Sequence, residues 1–361
     1  MTAIETAGRG AAPWQEPARG GFPPPALFMS SGLDQLRANV EGRFPRPPLS
    51  HLTGIRAVEA GAGSACFSMP ASRWLLSPQG LIANGVIAIL ADAPLGCAVQ
   101  SALPPATPFT TSELSLRLVQ PAHPGGSFTA RGRLVHAKRS LGLSEVFVQD
   151  GHGRLLAHGS SLCFIRPAID ADPGALDEQP RTLAGGGDGS ADPWERPVEG
   201  TPLEQEVWAR MSGREVLEAL LAGSLPAPPV RGLFGVRPVA VEDGAATVRL
   251  PATEWLCSPL GTVQGGVIAM LADMALACAI QTTVPAGAAL AMIDLKVNFL
   301  RPAAPDGREL MCTGKVVHRG QTIALATAQA TNDDGKPVAL ATGSAMILAD
   351  RPASLTGVTY D

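Results

Sequence analysis

The chain has 361 residues, of which 45% are hydrophobic and 17% charged, so it carries enough apolar material for two ordinary cores rather than one. Its net charge is −4 and it contains no basic block, which excludes the electrostatic footprint of a nucleic-acid surface. It has neither a membrane-spanning run of about 18 uncharged apolar residues nor the basic start and apolar stretch of a secretory signal, so we expect a cytoplasmic protein.

The first 25 residues are rich in Gly and Pro, and we predict a leader that is only partly ordered. The stretch 167–200 has a similar composition and is predicted to be a linker. Both contain a Pro-Trp element, PWQEP at 13–17 and PWERP at 193–197. We interpret each element as a short segment with one tethering tryptophan.

The part of the chain between these segments begins with a short amphipathic helix, with Leu33, Leu36 and Val40 at helical spacing. A strand follows, and then residues 87–99, which are apolar except for Asp92. This pattern is typical of a helix surrounded by protein on nearly all sides. Three or four alternating strands come next. One buried helix followed by an antiparallel meander predicts the α+β class.

The second half of the chain repeats the first. Residues 68–100 align without a gap on residues 249–281, an offset of 181 residues. The duplication predicts a domain at 26–166, a second domain at 201–350 and a short tail at 351–361. The six cysteines stand singly with no C-x-x-C pair, which predicts neither a zinc site nor a disulfide framework.

Both halves contain the pattern W-x-x-S-P-x-G-x-x-x-x-G-V-I-A-x-L-A-D, and the second half adds D-L-K-V-N-F-L-R-P and V-V-H-R-G. These residues resemble the hotdog-fold acyl-CoA thioesterases of the phenylacetate-degradation type. The resemblance implies a double hotdog, in which each repeat has a central buried helix wrapped by a curved antiparallel sheet. One chain would then carry both members of the usual dimer.

The start of each buried helix is suited to acyl-transfer chemistry. Gly261, Gly265 and Gly266 lie just before and at the start of the second helix, where unpaired backbone amides and the helix dipole favour a developing negative charge. Asp92 and Asp273 lie further along in apolar helices, where an ionised carboxylate is costly without a partner or a task. Each is therefore a candidate general base or nucleophile. The alternative is that each carboxylate only hydrogen-bonds to backbone amides of the paired helix.

In the family, the helix start comes from one hotdog and the acid from the other, which implies two composite sites. Composite site one, called site one, combines Ser258, Gln264, the Gly265 amide, Gly266, Asp92 and Thr111. Composite site two, called site two, combines Ser77, Ala83, the Asn84 amide, Asp273 and Met292. Many relatives have His-Gly-Gly where this chain has Gln264-Gly265-Gly266 or Ala83-Asn84-Gly85. Because site two lacks the side-chain amide and the hydroxyl, we expect site one to be the working site.

The predicted function is hydrolysis of an acyl-CoA thioester by an aspartate-activated water, with the carbonyl polarised at a helix N-terminus. The resemblance implies an acyl-CoA or acyl-carrier-protein thioester as partner, with no metal and no cofactor other than the coenzyme A of the substrate. Association of double hotdogs into homo-oligomers is compatible with it. Alternatives are a non-catalytic thioester-binding module and a hotdog hydratase or dehydratase, although neither helix has the histidine of the latter.

The nucleotide phosphates of such a substrate require cations at the mouth of the site. The candidates in strand and turn positions are better interpreted as solvated surface charge, and they are Lys138, Arg139, Lys296, Arg301, His318 and Arg319.

Overall fold

The computed structural model describes residues 11–170, 176–186, 190–349 and 351–353, and within them the same unit occurs twice. The first unit contains the helices α1 (Gly32–Val40), α2 (Pro48–Thr53) and α3 (Asn84–Gln100). Its strands are β2 (Arg56–Gly61), β3 (Ser64–Pro70), β4 (Phe109–Leu118), β5 (Ser127–Lys138), β6 (Leu141–Gln149) and β7 (Leu155–Ile165). The short strand β1 (Gly21–Phe22) precedes them and pairs with β8 (Arg181–Thr182) of the linker.

The second unit repeats this order after one additional helix, α4 (Gln205–Arg210). Its other helices are α5 (Gly213–Ala222), α6 (Pro229–Phe234) and α7 (Gly265–Gln281). Its strands are β9 (Arg237–Glu242), β10 (Ala245–Pro251), β11 (Ala289–Phe299), β12 (Glu309–Arg319), β13 (Ile323–Thr331) and β14 (Pro337–Leu348). The predicted amphipathic helices correspond to α1 and α5, and the predicted buried helices to α3 and α7.

The two units share one antiparallel sheet of twelve strands in the order β2-β3-β5-β6-β7-β4-β11-β14-β13-β12-β10-β9. The halves meet edge to edge through β4 and β11, where Leu116 lies opposite Leu295. Both of these side chains are buried, and the pairing removes the two strand edges that would otherwise be open. The α+β double-hotdog architecture is thereby confirmed.

The helices α3 and α7 lie against the sheets of their own units and also against each other. They approach so closely that a Cβ atom at Gly85 would lie 2.7 Å from the Cα of Met270, and one at Gly266 would lie 2.6 Å from the Cα of Ile89. Only glycine fits such a backbone contact. The two helices therefore belong to one continuous core, and each helix start lies beside the middle of the other helix.

The two Pro-Trp elements cross between the units. The ring of Trp14, in the leader, packs on Gly235 of the second unit, whereas the ring of Trp194, in the linker, packs on Gly54 of the first. Both glycines end short helices with φ near +75°, a conformation that favours glycine, and the missing side chain leaves room for the indole ring. Each Trp segment thus contacts the domain that it does not directly precede or follow.

Polar contacts fix this crossing. The indole Nε1 of Trp255 donates to the carbonyl of Glu16 at 2.9 Å, and Trp74 Nε1 donates to the carbonyl of Arg196 at 3.0 Å. The side chains of Glu16 and Arg196 then form a salt bridge of 2.6 Å that links leader to linker. The described parts of the leader and linker are therefore packed segments, and residues 1–10, 171–175 and 187–189 of these regions lie outside the described residues.

Candidate active site

Asp92 lies in the middle of α3 and reaches the start of α7. Its side chain is buried, and Oδ2 accepts a hydrogen bond of 2.9 Å from the backbone amide of Gly266. The other oxygen, Oδ1, is buried without a partner among the described residues. Burial raises the pKa of Asp92 to about 6, an effect that the Gly266 amide only partly opposes.

Asp273 has the equivalent position in α7 and reaches the start of α3. It is only 4% exposed, and the backbone amide of Gly85 donates to its carboxylate. Its Oδ1 likewise lacks a partner in the described part of the chain. Burial raises the pKa of Asp273 to about 7. Each acid therefore uses one oxygen for an amide of the paired helix, as our structural alternative proposed, and retains one oxygen for another role.

The first residue of each buried helix has a free backbone amide. Neither α3 nor α7 has a side-chain cap, because Ala83 and Gln264 at the N-cap positions make no capping hydrogen bond. The amides of Asn84 and Gly265 find no acceptor among the described residues. Both helix starts can therefore donate a hydrogen bond to an incoming oxygen, with the helix dipole adding to the attraction.

The side chains predicted for site one are only partly brought together. Gln264 is buried beside Asp92, but its Nε2 points to the carbonyl of Ile89 at 3.4 Å, and its Oε1 has no partner. Thr111 Oγ1 lies 4.0 Å from Cys163 Sγ and forms no hydrogen bond with Asp92. Ser258 Oγ accepts from the Leu260 amide at 3.2 Å and so stabilises its own turn.

Site two borders a cavity with a volume of about 190 Å³. All five residues predicted for this site line it: Ser77, Ala83, Asn84, Asp273 and Met292. The cavity thus connects the free amide at the start of α3 with the buried acid of α7. Side-chain chemistry led us to expect the working site at Asp92, whereas this cavity lies at Asp273. The cause is tertiary packing, since the space depends on how α4, α5, α6 and β9 cover α7.

The cavity also contains residues that the sequence analysis missed. Most of its wall is apolar, with contributions from Val216, Leu217, Leu220, Val230, Val248 and Leu290. Trp208, Arg231 and Arg237 add polar groups. Comparison of the two halves contains a signal for Arg231, because the equivalent position at the offset of 181 residues is Ser50. None of the six basic candidates in strand and turn positions lines the cavity.

Two further searches covered the described residues. They contain no group of three or more His, Cys, Asp or Glu side chains arranged to hold a metal ion. In the same part of the chain, no helix is both long and apolar enough to cross a membrane.

Known proteins are similar to the chain in sequence and fold. The family model of the thioesterase superfamily matches residues 79–157 and 260–339, one segment in each domain. A candidate esterase of Halobacterium salinarum is 35% identical over 124 residues, which cover 31% of this chain and 80% of that protein. A candidate thioesterase of Ralstonia eutropha, described as related to phenylacetic acid degradation, is 30% identical over 36% of this chain and 98% of its own, with a TM-score of 0.34.

A further solved structure extends across both domains. The acyl-CoA thioesterase II of Mycobacterium marinum is 12% identical, covers 83% of this chain and 96% of its own, and has a TM-score of 0.50. At this identity the similarity concerns the fold alone.

Proposed function

The chain belongs to the thioesterase superfamily, and we propose that it hydrolyses acyl-CoA thioesters at site two. The observation that carries this proposal is the cavity between the Asn84 amide and Asp273. A thioester carbonyl needs a hydrogen-bond donor at its oxygen and a base or nucleophile near its carbon. The cavity wall contains a residue for each of these roles.

The reaction begins when the carbonyl oxygen accepts a hydrogen bond from the Asn84 amide at the start of α3. Asp273 then removes a proton from a water molecule, and the resulting hydroxide attacks the carbonyl carbon. The negative charge that develops on the oxygen is stabilised by the amide and the helix dipole. Collapse of the tetrahedral intermediate breaks the C–S bond, and the proton held by Asp273 passes to the departing thiolate.

The raised pKa of Asp273 suits this role. A carboxylate with a pKa of about 7 is a stronger base than an exposed aspartate, yet it is half ionised at neutral pH. Direct attack by Asp273 on the carbonyl, forming an acyl anhydride that water then cleaves, is the alternative use of the same residue.

The shape of the wall favours an apolar acyl group of medium length. Asp273 and Gln281 both line the cavity and lie eight residues apart on α7, a distance of about 12 Å. An extended chain advances about 1.3 Å per bond, so roughly nine or ten bonds fit along this line. Straight acyl chains of eight to ten carbons and aromatic acyl groups of similar length are therefore the first substrates to test.

The test measures thiol release from short, medium and aromatic acyl-CoAs by the wild type, Asp273→Asn and Asp92→Asn. We expect Asp273→Asn to lose at least ~100-fold in turnover, since general bases contribute factors of this size. Asp92→Asn is the matched control, because Asp92 has the same position, burial and amide contact in the other helix. Loss of turnover in Asp92→Asn alone would move the reaction to site one. Saturable acyl-CoA binding by the wild type with no thiol release would indicate a binding module.

A further inference from the structure

Two arginines line the cavity of site two. Arg231 lies on α6 and Arg237 on β9, and both are partly exposed. Within the described residues, neither guanidinium forms a salt bridge or a side-chain hydrogen bond. A guanidinium carries five N–H donors and a permanent charge, so partial burial without a partner is unfavourable. The wall of the cavity therefore offers two cations that lack an anion.

The acid in the same cavity is not that anion. The pKa of Asp273 is raised by burial and lowered only by the Gly85 amide. A nearby arginine would stabilise the ionised carboxylate and lower this pKa, and no such effect is present. The arginines therefore lie too far from Asp273 to neutralise it, and a partner for them has to come from a bound molecule.

The pair distinguishes site two from site one. At the offset of 181 residues, Arg231 corresponds to Ser50, which is buried and uncharged. Arg237 corresponds to Arg56, which is exposed. The duplication therefore leaves two cations at the cavity of site two, where the equivalent positions of the first domain provide one exposed arginine.

We propose that Arg231 and Arg237 bind phosphate groups on the thiol carrier of the substrate. Phosphate oxygens match the fork of N–H donors on a guanidinium, and partial exposure leaves both side chains accessible to the charged end of a molecule whose acyl end enters the apolar cavity. The shared chemistry is a phosphate ester on a pantetheine arm, supplied either by the nucleotide of coenzyme A or by a phosphopantetheine group. This inference rests on the proposed function and adds the carrier specificity of the same site.

The experiment compares three thioesters with the same acyl group: acyl-CoA, acyl-4′-phosphopantetheine and acyl-pantetheine, which has no phosphate. Thiol release is measured for the wild type, Arg231→Gln, Arg237→Gln and the double variant. Arg56→Gln serves as the matched control, since it removes the equivalent arginine of the first domain. The decisive quantity is the kcat/KM for acyl-CoA divided by that for acyl-pantetheine.

We expect this ratio to fall about tenfold in each single variant and further in the double variant, the size of one lost charge-assisted hydrogen bond at a partly exposed site. Added salt is expected to lower the ratio in the wild type more than in the double variant. A fall with acyl-CoA but not with acyl-4′-phosphopantetheine assigns the contact to the nucleotide phosphates, and a fall with both assigns it to the phosphopantetheine phosphate.

Two outcomes overturn the inference. An unchanged ratio in the double variant means that the arginines do not recognise phosphate, as does a fall of the same size in Arg56→Gln. Equal losses on all three substrates mean that the arginines act on the acyl group or on the shape of the cavity. Absence of thiol release from every substrate by the folded wild type would instead refute the proposed function, and so the two failures can be told apart.

Discussion

Replacement of Asp273 by asparagine is expected to increase stability at alkaline pH while it removes turnover. The carboxyl has an ordinary pKa of 3.8 and a pKa of about 7 in the fold, because α7 holds it among apolar side chains. Between these two values the folded state binds the proton more tightly than the unfolded state does. The free energy of unfolding of the wild type therefore decreases as the pH rises through this window.

The size of the effect follows from the same values. Each pH unit within the window changes the free energy of unfolding by about 1.4 kcal/mol. From pH 5 to the folded pKa of about 7 is roughly two units, so Asp273 contributes a loss of about 3 kcal/mol between pH 5 and pH 8. Asparagine cannot ionise, and its Oδ1 can still accept from the Gly85 amide. The variant should lack this loss.

Urea unfolding of the wild type and Asp273→Asn at pH 5 and pH 8 measures the difference. Asp92→Asn is the control, with an expected difference of only about 1.4 kcal/mol because the pKa of Asp92 is about 6. The quantity compared is the change in unfolding free energy between the two pH values, so that a constant cost of the substitution cancels. If the wild type and Asp273→Asn lose the same stability between pH 5 and pH 8, the argument from burial is wrong.

Four further predictions concern the site and the packing around it. The kcat/KM should fall about tenfold per pH unit below an inflection near pH 7, since the base must be ionised, and an inflection near pH 6 would indicate Asp92 instead. Gly85→Ala should lower the free energy of unfolding by about 2–4 kcal/mol, because its Cβ would meet the facing helix backbone at 2.7 Å, whereas Gly151→Ala, with 3.6 Å of space, should change little in the same urea titration. Trp14→Ala should destabilise the chain by about 2 kcal/mol through lost packing on the second domain, and a neutral result would contradict the crossing contact. Met292→Ala should shift the preference for acyl chains toward longer ones in a chain-length series, because Met292 lines the cavity, and an unchanged preference would place the acyl group elsewhere.

The sequence was sufficient for the architecture because the duplication and the apolar helices are local patterns. The runs around Asp92 and Asp273 have few polar residues on any face, so only burial on nearly all sides can accommodate them. The alternating segments after each run indicate strands by their period of two. The resemblance then supplied the hotdog arrangement and the pairing of each acid with the opposite helix start, and the Gly266 amide lies 2.9 Å from Asp92.

The location of the cavity could not be obtained in this way. Gln264 and Thr111 have the functional groups expected of a polarising site, but tertiary contacts direct them to the Ile89 carbonyl and to Cys163. The crossing of the Pro-Trp elements is also invisible in the sequence, since Trp14 packs on a glycine more than 200 residues away.

The sequence by itself therefore determined the repeat, the α+β class and the two acids in their apolar helices, because periodicity and composition are properties of neighbouring residues. Only the tertiary structure decided which acid borders a cavity and which arginines face it. Empty space depends on how α4, α5, α6 and β9 from one domain and the loop around Ser77 from the other are packed over α7. Such packing is set by contacts between residues far apart in the chain, and no local pattern records them.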